Sequence, residues 1–150
     1  MIINVNNISQ ILKSMKEKIV IKDSPSGNKE IVLYSNFNEY EMGFEFLFNE
    51  YRIQITACLN NYTVQLNEYE IVLAFCNKWN SELSVGSNAY IKEDEVYISS
   101  ACGLEGEVSE EYIRKSIIES GIETARFFFQ ELDNVRFPKK KSFVEKILNF

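Results

Sequence analysis

The chain has 150 residues, 45% of them hydrophobic and 25% charged, with a formal net charge of −6. That length suits one domain and buries roughly 70% of the unfolded surface, so no disulfide or metal staple is required and a disordered chain is excluded. The acidic balance works against nucleic-acid binding, which needs a basic stripe to displace counterions from phosphate.

In chain order, Ile8, Ile11, Leu12 and Met15 recur at helical spacing and predict a helix over 7–18, with Asn7 as its N-cap. Ile19-Val20-Ile21 and Ile31-Val32-Leu33-Tyr34 read as strands on either side of the turn-forming run Asp23-Ser24-Pro25-Ser26-Gly27-Asn28. The strongest strand signal lies between Met42 and Leu59. There Phe44, Phe46 and Phe48 alternate with Glu45 and Leu47, and after Asn49-Glu50 the residues Tyr51, Ile53, Ile55, Ala57 and Leu59 alternate with Arg52, Gln54, Thr56 and Cys58. Such period-2 patterning sends one set of side chains to a buried sheet face, and the polar break makes an antiparallel hairpin.

Helical spacing returns over 67–83, with Tyr69, Val72, Leu73, Cys76 and Trp79 or Asn80 near one stripe and Val85-Gly86-Ser87 as the stop. A second hairpin joins Ala89-Tyr90-Ile91 to Val96-Tyr97-Ile98 through Lys92-Glu93-Asp94-Glu95. Ser109 is the N-cap of the longest helix, and Glu110 and Glu111 suit its positive end. Its inward face is marked by Ile113, Ile117, Gly121, Thr124 or Ala125, Phe128 and Leu132, with Gly121 reserved for close packing or a bend. Phe137-Pro138 interrupts the chain, and Ser142 to Phe150 reads as a short terminal helix. The domain is therefore expected over residues 1–136, with 137–150 as a helical extension.

The chemistry is defined mainly by what is missing. There is no histidine, which removes the commonest general base, triad base and transition-metal ligand. Cys58, Cys76 and Cys102 lie in apolar periodic segments where a thiol stays protonated, and their odd number and wide spacing read as reduced packing residues. The glycines form neither GxGxxG nor a P-loop, and the acidic residues form no EF-hand. Gly103 and Gly106 precede the Ser109 helix, but Glu105, Glu107, Glu110 and Glu111 would repel an anion there. Lys139-Lys140-Lys141 reads as a solvated linker. Neither a secretory leader pattern nor an apolar run of ~18 residues is present, so a cytoplasmic address is expected. No enzyme activity, cofactor or metal is expected.

From the second helix onward, Asn77-Lys78-Trp79-Asn80, the hairpin Ala89-Tyr90-Ile91 to Val96-Tyr97-Ile98, and Val108-Ser109-Glu110-Glu111 opening a long helix resemble the bacterial YbjN-like family, by order and spacing over about residues 66 to 132. The resemblance implies the type III secretion chaperone fold: an α+β domain of α-β-β-β-α-β-β-α order, with helices packed against a single antiparallel sheet. Proteins of that family are labelled sensory transduction regulators, and the secretion chaperones of like fold are small acidic dimers that hold an effector segment in extended form.

The expected function is thus non-catalytic binding of another bacterial protein, chaperone- or adaptor-like, with a homodimer as the expected assembly. An apolar strip of Phe44, Phe46 and Phe48, or the helix carrying Trp79, would be the contact surface. The alternative is an immunity protein neutralising a basic toxin through the acidic residues Glu93, Asp94, Glu105, Glu107, Glu110 and Glu111.

Overall fold

Alternation along the strands gives the sheet two chemically different faces, and the helices cover the apolar one. The structure is a computed structural model and describes residues 4–15, 18–23, 29–49, 51–83, 86–104 and 107–138. Helix α1 (Val5–Ser14) leads into β1 (Lys18–Asp23), β2 (Lys29–Phe37), β3 (Tyr40–Asn49) and β4 (Arg52–Thr63). A short 3-10 turn (Leu66–Glu68) opens α2 (Tyr69–Lys78), which runs on as a π-helical turn (Trp79–Leu83). Strands β5 (Ser87–Lys92) and β6 (Glu95–Gly103) follow. The last helix comprises α3 (Glu110–Tyr112), a π-helical stretch (Ile113–Glu119) and α4 (Ser120–Arg136) without a break. The order across the six-stranded sheet is β1-β2-β3-β4-β6-β5, antiparallel throughout.

This is the expected α+β architecture, with one difference in order. Four strands, not three, separate α1 from α2, because both hairpins legible between Ile19 and Leu59 form and join the same sheet. Register aligns the apolar sets: Leu33 faces Phe44, Phe44 faces Ala57, Ala57 faces Ile98 and Ile98 faces Ala89. All of these are buried. The opposite face carries Tyr34, Glu45, Gln54, Thr56, Cys58, Tyr90, Tyr97 and Ser99, and among the described residues no helix lies over it. Its polar groups bond within the plane, as Arg52 donates to Gln54 at 3.1 Å and Gln54 to Ser99 at 3.2 Å.

Local signals set the boundaries, with small corrections. Asn4, not Asn7, caps α1: its Oδ1 accepts the Asn7 backbone N–H at 2.9 Å. Ser109 caps the last helix as expected, accepting from the Tyr112 N–H at 3.1 Å. Lys92 and Glu95 pair as strand residues, so the second hairpin turns on Glu93 and Asp94 alone, and Glu93 takes a left-handed φ of 60°. Ile113, Ile117, Ala125, Phe128 and Leu132 point inward as spaced, but Ile118, Ile122 and Phe129 are buried as well. The π-helical stretch shifts the phase of the face, which a uniform 3.6-residue reading does not anticipate. The terminal helix expected over 142–150 and the run Lys139-Lys140-Lys141 lie outside the described residues.

Two contacts seat the long helix. At Gly121 it approaches the sheet so closely that a Cβ would stand 2.8 Å from Ile55 Cδ1. At its far end Arg136 grips Glu68 with two bonds, Nε to Oε2 at 3.0 Å and Nη2 to Oε1 at 2.9 Å, and Nη2 also donates to the Thr63 carbonyl at 2.8 Å. The same guanidinium lies 4.4 Å from the Tyr62 ring centre, and the Tyr62 hydroxyl donates to Asp133. These bonds tie the end of α4 to the β4–α2 junction.

Urea unfolding of variants reads these contacts. Gly121→Val lowers stability by about 2 kcal/mol through overpacking. Ile55→Val, which removes Cδ1, costs less in a Gly121→Ala background than in the wild type, and additive effects would contradict the close approach. The Arg136 bonds hold the Glu68 carboxyl below its ordinary value of 4.5. Because the folded value is the lower one, that stabilisation is complete above the ordinary value and is lost as pH falls through the lowered one. Glu68→Gln should therefore flatten part of the acid-side loss of stability, while Arg136→Ala costs about 2 kcal/mol at neutral pH by removing the charge-assisted bonds to Glu68 and the Thr63 carbonyl.

Candidate functional site

Burial settles the availability of the aromatic candidates. Phe44 and Phe46 are fully buried beneath the helices, and Phe48 is half-buried against the same core. The expectation of an exposed strip at Phe44 and Phe46 is thereby corrected: their side of the β3 alternation is the covered side. Trp79 is buried too, with its ring 5.1 Å from Phe128 and its Nε1 donating to Ser87 Oγ at 3.0 Å. Next to it, Asn80 closes the edge of β5, donating to the Ala89 carbonyl at 2.8 Å and accepting the Ala89 N–H at 2.7 Å. That pair imitates a neighbouring strand and shields the edge from further pairing at that point.

The acidic candidates fall into separate places. Glu93 and Asp94 sit at the turn that begins β6, whereas Glu107, Glu110 and Glu111 lie beyond its other end. A nine-residue strand separates the two groups by roughly 27 Å. Glu110 pairs with Arg114 at 3.3 Å and Glu111 with Lys115 at 3.2 Å, both along the helix. Glu105 is outside the described residues. The structure does not gather these carboxylates into one acidic surface.

The exposed apolar residues are instead concentrated on the helices. Leu66 is 96% exposed, Ile71 53%, Phe127 52% and Val135 42%, and Tyr69, Leu73 and Phe137 are also exposed. Helices α2 and α4 run antiparallel: Glu68 before α2 meets Arg136 at the end of α4, while Trp79 after α2 meets Phe127 and Phe128. Phe75 of α2 packs on Phe128 at 5.4 Å between ring centres. This pairing fixes the outer positions. Phe127, Glu131 and Val135 follow one another at i, i+4, i+8 along α4, beside the flank of α2 that carries Ile71 and Phe75. An apolar seam results, with Glu131 between Phe127 and Val135. Leu66, Tyr69 and Leu73, at i, i+3, i+7, form a second strip on the other flank of α2.

The sequence did contain signs of this surface. Three consecutive phenylalanines, Phe127-Phe128-Phe129, cannot all face inward at 100° per residue, and Phe127 is the one turned out. Leu66 and Ile71 lie off the stripe of Val72, Cys76 and Trp79, so they are apolar residues on a surface that inward packing does not require.

Neither Cys58 nor Cys76 shows a sign of activation. Burial pushes Cys76 up to about 11, and burial, then Glu95 and Glu45, raises Cys58, so both are protonated at neutral pH. On the uncovered sheet face Tyr90 stacks on Tyr97 at 5.4 Å. Burial, then the bond to Glu95 at 3.1 Å, pushes Tyr97 up to about 12. Among the described residues no group of three or more Cys, Asp and Glu side chains could hold a metal ion, and no helix is long and apolar enough to cross a membrane.

No protein-family model matches the sequence, and no curated protein matches it. The fold does match a solved structure. YbjN from E. coli, provisionally described as a transcription regulator, superposes with a TM-score of 0.65 over 91% of this chain and 96% of its own, at 12% sequence identity. With its single antiparallel sheet covered on one face by helices, the chain has the YbjN-like fold.

Proposed function

We propose that this chain is a non-catalytic, adaptor- or chaperone-like domain that binds another bacterial protein across the seam between α2 and α4. The observation that supports this reading is the concentration of exposed large apolar side chains there: Ile71, Phe127 and Val135 on the seam, with Leu66, Tyr69 and Leu73 on the adjoining flank. Contiguous apolar surface of this kind is covered when a partner binds. A seam between two helices suits an amphipathic helix laid into it, with alternate turns supplying the apolar anchors. The regulatory description of YbjN is compatible with such a role, and the net charge of −6 favours a protein over a nucleic acid as the thing bound. The immunity reading has weaker geometric support, because its carboxylates lie at opposite ends of β6 and two of them are already ion-paired.

Capture of partners from the native cell tests the reading. The wild type should retain a specific protein that Ile71→Glu and Val135→Glu variants release by tenfold or more, equivalent to about 1.4 kcal/mol. Retention should change little between low and high salt, since apolar contact is not screened. If capture instead disappears at high salt and is indifferent to both variants, the binding surface is charged and lies elsewhere.

A further inference from the structure

We propose that the partner helix laid into the α2–α4 seam is basic, with Lys and Arg side chains flanking its apolar stripe. This rests on the reading of the seam as the binding surface and adds the chemistry of what fills it.

On α4, Glu123, Phe127, Glu131 and Val135 follow one another at i, i+4 spacing, so carboxylates alternate with apolar anchors along one row. Successive members stand roughly 6 Å apart along the axis. Across the seam α2 adds Glu70, which at 100° per residue falls between the Ile71 flank and the strip of Leu66, Tyr69 and Leu73. The π-helical turn that follows adds Glu82, and both carboxylates are exposed.

The cations of the two helices do not cancel this charge. Arg136 is held by Glu68 and the Thr63 carbonyl. Arg126 donates to the buried Ser35 of β2, on the covered side of the helical layer. Lys78 remains on the outer side. Among the described residues Glu70, Glu82, Glu123 and Glu131 form no ion pair.

Apolar contact alone would accept any amphipathic helix, so the carboxylates decide between them. A partner with acidic flanks meets like charge at close range, whereas Lys or Arg is attracted and lays its apolar stem over the seam. A second copy of this chain is disfavoured on the same ground, because its seam carries the same glutamates. Exposed charge of this kind acts mainly on encounter, and the apolar anchors set how long the complex lasts.

Stopped-flow fluorescence with the full-length chain and labelled model peptides tests this. The peptides share one Leu stripe at i, i+3, i+4, i+7 and the length of α4, and carry Lys, Gln or Glu at the flanking positions. At low salt the Lys peptide should associate at least tenfold faster than the Gln peptide, with the Glu peptide slower still. High salt should erase that difference and leave dissociation unchanged. The double variant Glu123→Gln, Glu131→Gln should remove most of the Lys advantage. Glu107→Gln, Glu111→Gln, an equal loss of charge at the start of the last helix, should preserve it. Equal association of the Lys and Gln peptides would overturn the proposal, as would equal losses in the two double variants. So would a dimer in light scattering that Val135→Glu dissolves, because a second copy would then be the occupant. The proposal and the reading beneath it fail separately. Dissociation of every peptide hastened by Val135→Glu, with no preference among them, keeps the seam and defeats the basic occupant. A Lys preference with dissociation indifferent to both Ile71→Glu and Val135→Glu defeats the seam itself.

Discussion

The arrangement of this molecule depends on how closely its longest helix can approach the sheet. At Gly121 the backbone comes within a distance that any side chain would contest, 2.8 Å from a hypothetical Cβ to Ile55 Cδ1. That approach lowers Phe128, Phe129 and Leu132 fully into the core, where each ring adds a large apolar area withdrawn from water. With a side chain at that position the terminal methyl of Ile55 would have to shift, and a larger group would press on the sheet. The π-helical stretch before it brings Ile113, Ile117 and Ile118 onto the same covered face.

Seating one helix in this way determines what its neighbour can bury. Helix α2 packs alongside α4 through Phe75, Trp79 and the Glu68–Arg136 clamp, so its inward stripe is satisfied by Val72, Cys76 and Trp79. Ile71 on one flank, and Tyr69 and Leu73 on the other, have no core left to enter. The apolar surface is therefore a geometric consequence of pairing two helices over one face of a sheet. The edge at β5, by contrast, receives protection at one point: Asn80 uses both ends of its amide to satisfy Ala89. Polar groups on the uncovered sheet face bond to one another. Surface that the fold satisfies elsewhere is left unsatisfied on the helices.

Much of the architecture was legible in local patterns. The Phe44–Phe46–Phe48 alternation and the Ile53–Ile55–Ala57 run state their strand period directly, and Ser109 with Glu110 and Glu111 announces a helix start. Gly121 was readable as a point of close packing. What could not be read locally is which side of an element the rest of the chain covers. Phe44 and Phe46 can be read as a binding strip or as core until the helices are placed. The acidic residues around Glu93 and around Glu107 are near in sequence, yet a strand runs between them. Phe127 and Val135 become a seam only once α2 is known to run antiparallel to α4. Even the cap of α1 was misplaced at Asn7, because the helix starts earlier than its apolar periodicity does and Asn4 caps it.

The outer surface of the helical layer is the binding surface we propose. A hydrogen-exchange footprint of the chain bound to its captured partner tests it most directly. The account predicts new protection over residues 66–83 and 120–136, with the outer-face residues of β3, β4 and β6 exchanging as in the free protein. Protection confined to those strands, with the helices unaffected, would contradict it.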